Sequence, residues 1–325
     1  AKNPPWPFQL IRDRHGRDIA VGLCAPFIKY YYNAEVEKGL FWRLKADGHI
    51  LVGVTSYEFF PGNATNPYTD RPSQQDYPEN KKIYASMDAY AHCFRKPSDH
   101  IPPGIPRALI SQSDFVDPMN ADLKPKRLRK QYSFAYSNLS GDWNDFNRNF
   151  TLARECIKIA VKEGMMPPLL IGKKKDEGNP NMADLMQLSR QGKLEMTDTL
   201  PHNKLGDAME QSEFFFVPNL SDASPRVVAE ALCRGTPVIM NRHIVGGWKY
   251  INDKTGVLFD GADDFLPAVQ RLRALKDAGK LQPREWFSAN YGPRKSSLRL
   301  QAFLELAVGK ARLREAEGKR HQRWL

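Results

Sequence analysis

The 325-residue sequence predicts an α/β protein of two domains, each a mostly parallel sheet flanked by helices. Three observations carry that prediction. The apolar run 214–217 stops at Pro218-Asn219 and leads through a polar turn into a helix at 227–233, a Gly235 stop and a second strand at 236–240. A continuous apolar run followed by a helix is what a strand buried on both faces needs. The same strand-then-helix rhythm recurs from residue 131 onward, and a shorter version occupies 19–55. A chain of this length can bury two separate cores.

In the first half, 19–23 reads as a strand, followed by the Tyr-rich loop Lys29-Tyr30-Tyr31-Tyr32, a helix at 35–46, a Gly48-His49 turn and a strand at 50–55. That is a βαβ unit. The proline-rich, polar stretch 61–81 has no hydrophobic period and reads as a long loop. Residues 83–94 and 108–113 read as strands, so this domain is short of helices and looks shortened. The stretch 117–130, with two prolines and a charge run, is the linker candidate. It gives an N-terminal domain of 1–125 and a C-terminal domain of 131–290. In the second half, strands are expected at 131–137, 168–171 and 194–196. Helices are expected at 150–163, 204–211, 262–278 and 294–317, with 138–148 a loop and 200–203 a turn.

Composition narrows the class. Hydrophobic residues make up 41% of the chain, and no apolar run approaches the roughly 20 residues of a membrane helix. The four cysteines (Cys24, Cys93, Cys156 and Cys233) form no CxxC pair, so neither a zinc site nor a disulfide framework is expected, and a reducing cytoplasmic setting is. The chain opens AKNPPWPF with neither a signal peptide nor an initiator Met, as a processed form or a piece of a longer protein would. Asn63, Asn138 and Asn149 lie in glycosylation sequons, usable only in a secretory compartment. The net charge of +11 raises nucleic acid as a partner. Its basic residues are dispersed, however, clustering only at 124–130, 173–175 and the C-terminal helix, with no helix-turn-helix, zinc-finger or RNP signature. No nucleic-acid partner is therefore expected.

The chemistry concentrates after the strand at 214–217. Ser224 reads as an N-cap and Pro225 as the first helical residue, so free amides face the carboxyl end of the strand, where α/β sheets bind phosphate. Asp222 on the loop and Glu230 in the helix can both face one ligand.

This pattern of an acid, seven residues, Glu230, Ala231-Leu232 and Gly235-Thr236-Pro237-Val238-Ile239 resembles the nucleotide-sugar site of GT-B glycosyltransferases, especially glycosyltransferase family four. The resemblance implies two Rossmann-like domains facing a central cleft, with the last helix, 294–325, packing back on the first domain. It implies that Glu230 binds the ribose hydroxyls, that Asp222, where the family usually has Glu, contacts the donor sugar, and that Ser224, Pro225 and Arg226 surround the diphosphate. Proline has no N–H, so Ser224 and Arg226 would supply the amides. Arg148, read as a helix-start arginine in the loop after the domain's first strand, would grip the diphosphate, with Lys173 in the next loop. An arginine there is electrostatically misplaced unless an anion is near. Leu200-Pro201-His202 resembles the base-recognition turn, His202 serving as a surface or stacking residue.

The first domain would supply the acceptor pocket and a catalytic base. Glu58, Asp88 and His92 are the candidates, with Asp114 and Asp117 beside them; at each, a hydrogen-bonded structural role is the alternative. No Asp-x-Asp motif appears, so no metal and no cofactor are expected. The expected function is transfer of a sugar from a GDP- or UDP-linked donor to a glycan hydroxyl acceptor, the motif leaning toward retention. Similarity to transferase domains of algae and large algal viruses leans the donor toward GDP-fucose. The alternatives are a GT-B nucleotide-sugar epimerase and a non-catalytic polyanion-binding domain.

Overall fold

The computed structural model describes residues 8–12, 15–23, 34–54, 78–139, 141–176 and 178–322. The chain packs as two compact units, Ala1–Gln112 with Arg294–Leu325, and Ser113–Pro293.

In the first unit, β1 (Phe8–Arg12) pairs antiparallel with β2 (Asp18–Leu23). Helix α1 (Ala34–Ala46) follows, and β3 (Leu51–Val54) lies parallel to β2. The fully buried Phe41 of α1 joins Val21, Leu51 and Tyr90 in this unit's core. The sequence reads 83–94 as one strand, but the structure divides it into α2 (Pro78–Ala85) and β4 (Ala89–His92). Ile83, Tyr84, Met87 and Ala89 are all buried, so apolar density runs through the boundary and hides the change of period. β5 (Arg107–Leu109) completes the order β1-β2-β3-β4-β5. Gly53 has no room for a side chain, since a Cβ would stand 2.4 Å from the Tyr90 ring.

The second unit is a six-stranded parallel sheet. Its strands are β6 (Tyr132–Ser137), β7 (Leu169–Ile171), β8 (Glu195–Thr197), β9 (Ser212–Val217), β10 (Val238–Asn241) and β11 (Gly256–Phe259). They stand in the order β11-β10-β9-β6-β7-β8. Both faces are covered, which is why β9 is apolar from Phe214 to Val217. Phe214 and Phe216 pack with Phe134 and Phe265 on one face, and Phe215 and Val217 with Val228 and Leu232 on the other. Each such phenyl ring withdrawn from water contributes about 1.5–3 kcal/mol.

The helices of this unit are α3 (Asp142–Asn147), α4 (Phe150–Lys162), α5 (Ala183–Arg190), α6 (His202–Glu210), α7 (Arg226–Cys233), α8 (Ala262–Asp277) and α9 (Pro283–Asn290). α10 (Pro293–Gln322) then belongs almost wholly to the first unit. Among the described residues, no helix is long and apolar enough to cross a membrane.

The charge run read as a linker is a strap on the second unit. The Lys126 and Arg127 amides donate to Glu210 Oε2 at 2.7 and 3.0 Å. Glu210 Oε1 accepts from the buried Arg234 at 2.8 Å, and Arg284 donates to the carbonyls of Leu123 and Pro118 at 3.0 and 2.7 Å. Lys126 also pairs with Asp207 at 2.5 Å, and Lys130 donates to the carbonyls of Glu210 and Ser212 at 2.8 and 2.7 Å; these bonds hold the strap to the second unit, and the division between units falls earlier, after Gln112.

Candidate functional site

Chain order and spatial order disagree at one point in the six-stranded sheet. β6 and β9 are neighbours, yet the chain proceeds from β6 outward to β7 and from β9 outward to β10. The loops leaving these two strands therefore diverge and open a crevice at their carboxyl ends, where such sheets bind ligands. Those loops are 138–149 and 218–225.

The loop after β6 is rigidly built. Asn138 is completely buried and donates Nδ2 to Asp145 Oδ1 at 2.8 Å. Lys173, at the end of β7 and 1% exposed, reaches the same oxygen at 2.5 Å and Asp176 at 3.1 Å, with its ammonium 4.7 Å from the Phe150 ring centre. These contacts fix α3, which the sequence reading leaves as loop. Arg148 caps the carboxyl end of α3, and Asn149, left-handed at φ 50°, precedes α4. The guanidinium is thus at the negative end of α3 rather than at a bare helix start, so helix-dipole misplacement no longer argues for an anion. Its surroundings do: among the described residues no carboxylate forms an ion pair with Arg148, and its charge acts on Asp222 across the crevice. Asn149 donates Nδ2 to Pro218 O at 3.2 Å and Asn241 donates to the same carbonyl at 3.1 Å, fastening the two loops together.

The loop after β9 is folded around Asp222. Oδ1 accepts the Ser224 amide at 3.0 Å and Oδ2 accepts Asn219 Nδ2 at 3.3 Å. Burial pushes this carboxyl above the usual carboxylate range; Arg148, the Ser224 amide and Asn219 oppose that shift without cancelling it. Behind the loop, the Gly246 amide donates to Asp222 O at 3.0 Å. A Cβ on Gly246 would lie 1.8 Å from Ala223 O, and one on Gly247, at φ 79°, would lie 2.4 Å from Pro225 Cγ. Two bare backbones are the condition for this close approach.

The cap differs from expectation. α7 starts at Arg226 and Pro225 takes the cap position, with no side-chain cap. Ser224 lies outside the helix because its hydroxyl is engaged elsewhere, 2.8 Å from Ser113 Oγ. Since Asp222 takes the Ser224 amide and Pro225 has none, the first amides of α7 without a backbone acceptor among the described residues are those of Arg226 and Val227. Glu230, 4% exposed, sits one turn into α7. Its Oε1 accepts from Arg226 Nε at 2.8 Å and faces His202 Nε2 at 3.0 Å, and Oε2 has no hydrogen-bond partner among the described residues. His202 is the first residue of α6, not part of the preceding turn.

The structure therefore gathers Arg148, Asp222, Ser224, Pro225, Arg226, Glu230 and His202 along the carboxyl ends of β6 and β9, with Lys173 behind α3. The first-unit candidates stand otherwise. Glu58 lies outside the described residues. Asp88 gives Oδ1 to Lys45 at 2.7 Å and Oδ2 to the Leu51 amide at 2.9 Å, tying α1 to β3. His92, 5% exposed at the end of β4, stacks with Phe94 at 6.2 Å. Asp114 is buried against Lys249 Nζ at 2.7 Å, and Asp117 accepts the Met119 amide at 2.9 Å. Sequence reasoning missed Asn138, Asp145 and Asn149 as builders of the site, although Asn149 directly follows Arg148. Among the described residues there is no group of three or more His, Cys, Asp or Glu that could hold a metal ion.

No described protein family and no curated protein matches the sequence. Solved structures do match in fold. Sucrose-phosphate synthase from Thermosynechococcus elongatus superposes with a TM-score of 0.56 at 17% identity, over 83% of this chain and 71% of that one. HepE from Anabaena, solved with UDP, gives 0.60 at 10% identity, over 83% and 76%. TarM from S. aureus, solved with UDP and α-GlcNAc-glycerol, gives 0.57 at 13% identity, over 82% of this chain and 54% of that one. The fold is GT-B, with two Rossmann-like sheets in one chain, and these neighbours are GT-B glycosyltransferases.

Proposed function

We propose that this protein is a glycosyltransferase that moves a sugar from a nucleoside-diphosphate donor to a glycan hydroxyl. The observation that carries the reading is that Arg148 and Asp222 face each other across the β6/β9 crevice, where the guanidinium's charge acts on the carboxyl, with the buried Glu230 one turn into the adjoining helix. A cation with no ion pair among the described residues, a carboxyl held against its preference for water and a carboxylate with one oxygen unbonded among the described residues form a graded polar surface. It suits a diphosphate, a sugar and a ribose respectively. Glu230 Oε2 takes the ribose hydroxyls. Arg148 and the Arg226 amide take the diphosphate, the guanidinium fork suiting two phosphate oxygens. Asp222 takes a hydroxyl of the donor sugar, and His202 holds Glu230 in place.

As the glycosidic bond breaks, charge grows on the leaving diphosphate. A preorganised cation and the Arg226 amide stabilise it there, a role that in other transferases falls to a metal ion. The Lys173 amine is already engaged by Asp145 and Asp176, so its contribution is to hold α3, and with it Arg148, in place. The acceptor's base is sought in the first unit, among Glu58, Asp88 and His92. Of the two described ones, Asp88 has both oxygens engaged by Lys45 and the Leu51 amide, and His92 stands at the end of β4.

UDP heads the list of candidate nucleotides because HepE and TarM were solved with it; GDP-fucose, favoured by the sequence resemblance, is the second donor to try. A thermal-shift panel of UDP, GDP, CDP and their sugars tests the reading. A ligand at 100 times its Kd stabilises the fold by about 2.7 kcal/mol. Shifts with one nucleotide and turnover only with an acceptor support it. Donor turnover without acceptor points to an epimerase. Salt-sensitive binding of any polyanion with no nucleotide preference points to a polyanion-binding domain.

A further inference from the structure

We infer that Ser113 and Asp114 are positioning residues for the proposed donor loop, linking it to both places where the chain passes between its two units. The inference rests on the donor-site reading above.

Ser113 and Asp114 are each 1% exposed. They follow Gln112, the last residue of the first unit before the chain enters the second. Ser113 meets Ser224 through three atom pairs. Its amide donates to Ser224 Oγ at 3.1 Å, its hydroxyl donates to Ser224 O at 3.0 Å, and the two hydroxyl oxygens lie 2.8 Å apart. Ser224 in turn gives its amide to Asp222 and immediately precedes Pro225-Arg226 at the start of α7. A shift of Ser113 is therefore a shift of the backbone that orients Asp222 and the Arg226 amide.

Asp114 holds the other wall of the same loop. Its carboxylate accepts from Lys249 Nζ at 2.7 Å and from the Tyr250 hydroxyl. Those two residues follow directly on Gly246-Gly247 and Trp248, and the glycine pair is the backbone wedged against Ala223 and Pro225. The Asp114 carbonyl also accepts the Gly292 amide at 2.9 Å, one residue before Pro293, where the chain leaves the second unit. The Lys249 ammonium lies 5.3 Å from the Tyr250 ring centre and 5.7 Å from that of Tyr291. Outgoing and returning chain are thus both bonded at Asp114, and two consecutive residues grip the donor loop from its two sides. A buried Asp–Lys pair contributes little net stability because desolvation offsets the attraction. Its consequence is geometric: one arrangement of the loop satisfies all these groups at once.

Hydrogen–deuterium exchange with UDP, together with UDP titration calorimetry, tests the inference on the full chain. In the unsubstituted protein UDP should slow exchange in peptides covering 222–226 and also in those covering 113–116 and 246–250, which hold no proposed ligand contact. Ser113→Ala should weaken UDP binding about tenfold, and protection of 113–116 should vanish while that of 222–226 persists. Asp114→Asn keeps the size and the Tyr250 contact and serves as the second variant; it should uncouple 246–250 in the same way. If UDP binds the unsubstituted protein and both variants bind within twofold of it with protection unchanged, the positioning role is overturned. If no nucleotide binds the unsubstituted protein, the donor-site reading fails instead.

Discussion

Removing the Glu230 carboxylate should separate nucleotide binding from folding. In Glu230→Ala, the partners left behind are Arg226, with a side chain 72% exposed, and His202, at 48%. Water can hydrate both. The pair between Glu230 and Arg226 is an i,i+4 contact with one exposed partner, contributing about 0.3–0.5 kcal/mol. Loss of the buried carboxylate also removes its desolvation penalty. The net change in folding free energy should stay within about 1 kcal/mol, a melting shift of about 2–4 °C for a domain of this size. Binding responds differently. Two hydrogen bonds from ribose hydroxyls to a charged acceptor contribute about 1.5–3 kcal/mol each, so their loss should raise the UDP Kd by about two to four decades at 1.4 kcal/mol per decade. Glu230→Gln, which keeps one acceptor oxygen, should fall between. Calorimetric titration with UDP and scanning calorimetry of the same samples read both effects. A Kd within threefold of the unsubstituted protein refutes the ribose assignment, and a melting drop of about 10 °C or more refutes the claim that Glu230 is free of a structural role.

Arg148→Ala should lower kcat about a hundredfold or more, since a preorganised donor to the leaving group contributes about 2.7–4 kcal/mol. Arg148→Lys should recover part of this, and near-normal kcat in the alanine variant would make the residue a surface cation. Asp222→Asn should reduce turnover yet raise the melting temperature at neutral pH. A carboxyl whose folded pKa is raised binds its proton more tightly when folded, so stability falls as pH rises above the usual carboxylate range toward the raised value. Comparing melting curves at acid and neutral pH checks this, and a variant equally stable or less stable at neutral pH contradicts the burial effect. Gly246→Ala should abolish UDP binding, because its Cβ would lie 1.8 Å from Ala223 O and the donor loop must give way; a binding-competent variant would show that the loop tolerates another path. Turnover should survive excess EDTA, and loss restored by manganese or magnesium would reveal a metal site.

The donor-side half of this reading is legible in the sequence because its signals are local. Seven residues separate Asp222 from Glu230, the apolar run 214–217 adjoins them, and Gly235 closes the helix. What escaped was encoded over distance or in short elements. Ser113 lies 111 residues from Ser224 and Asp114 lies 136 from Tyr250, separations that no period or motif spans. α3 escaped because Asp-Trp-Asn-Asp-Phe-Asn has no apolar stripe and is held by Lys173 and Asn138 from other loops. That single omission moved Arg148 from the end of one helix to the start of the next. The 83–94 stretch failed for the opposite reason, since a buried helix end and a buried strand share one apolar signal. Glu58, the only acid of its loop, falls outside the described residues.

The fastening of the β6 loop bears on how the protein should be produced. Asn138 and Asn149 both stand in glycosylation sequons, and both have their Nδ2 atoms committed, one to Asp145 and the other to the Pro218 carbonyl. That nitrogen is the atom a glycan would occupy. A chain modified at Asn138 during synthesis would bring an oligosaccharide to a position with no exposed surface, and the loop carrying Arg148 could not close over it. Host cells that glycosylate should therefore yield misassembled material, from which substitution of Thr151 or Ser140, removing each sequon while sparing the asparagine, would recover the folded form.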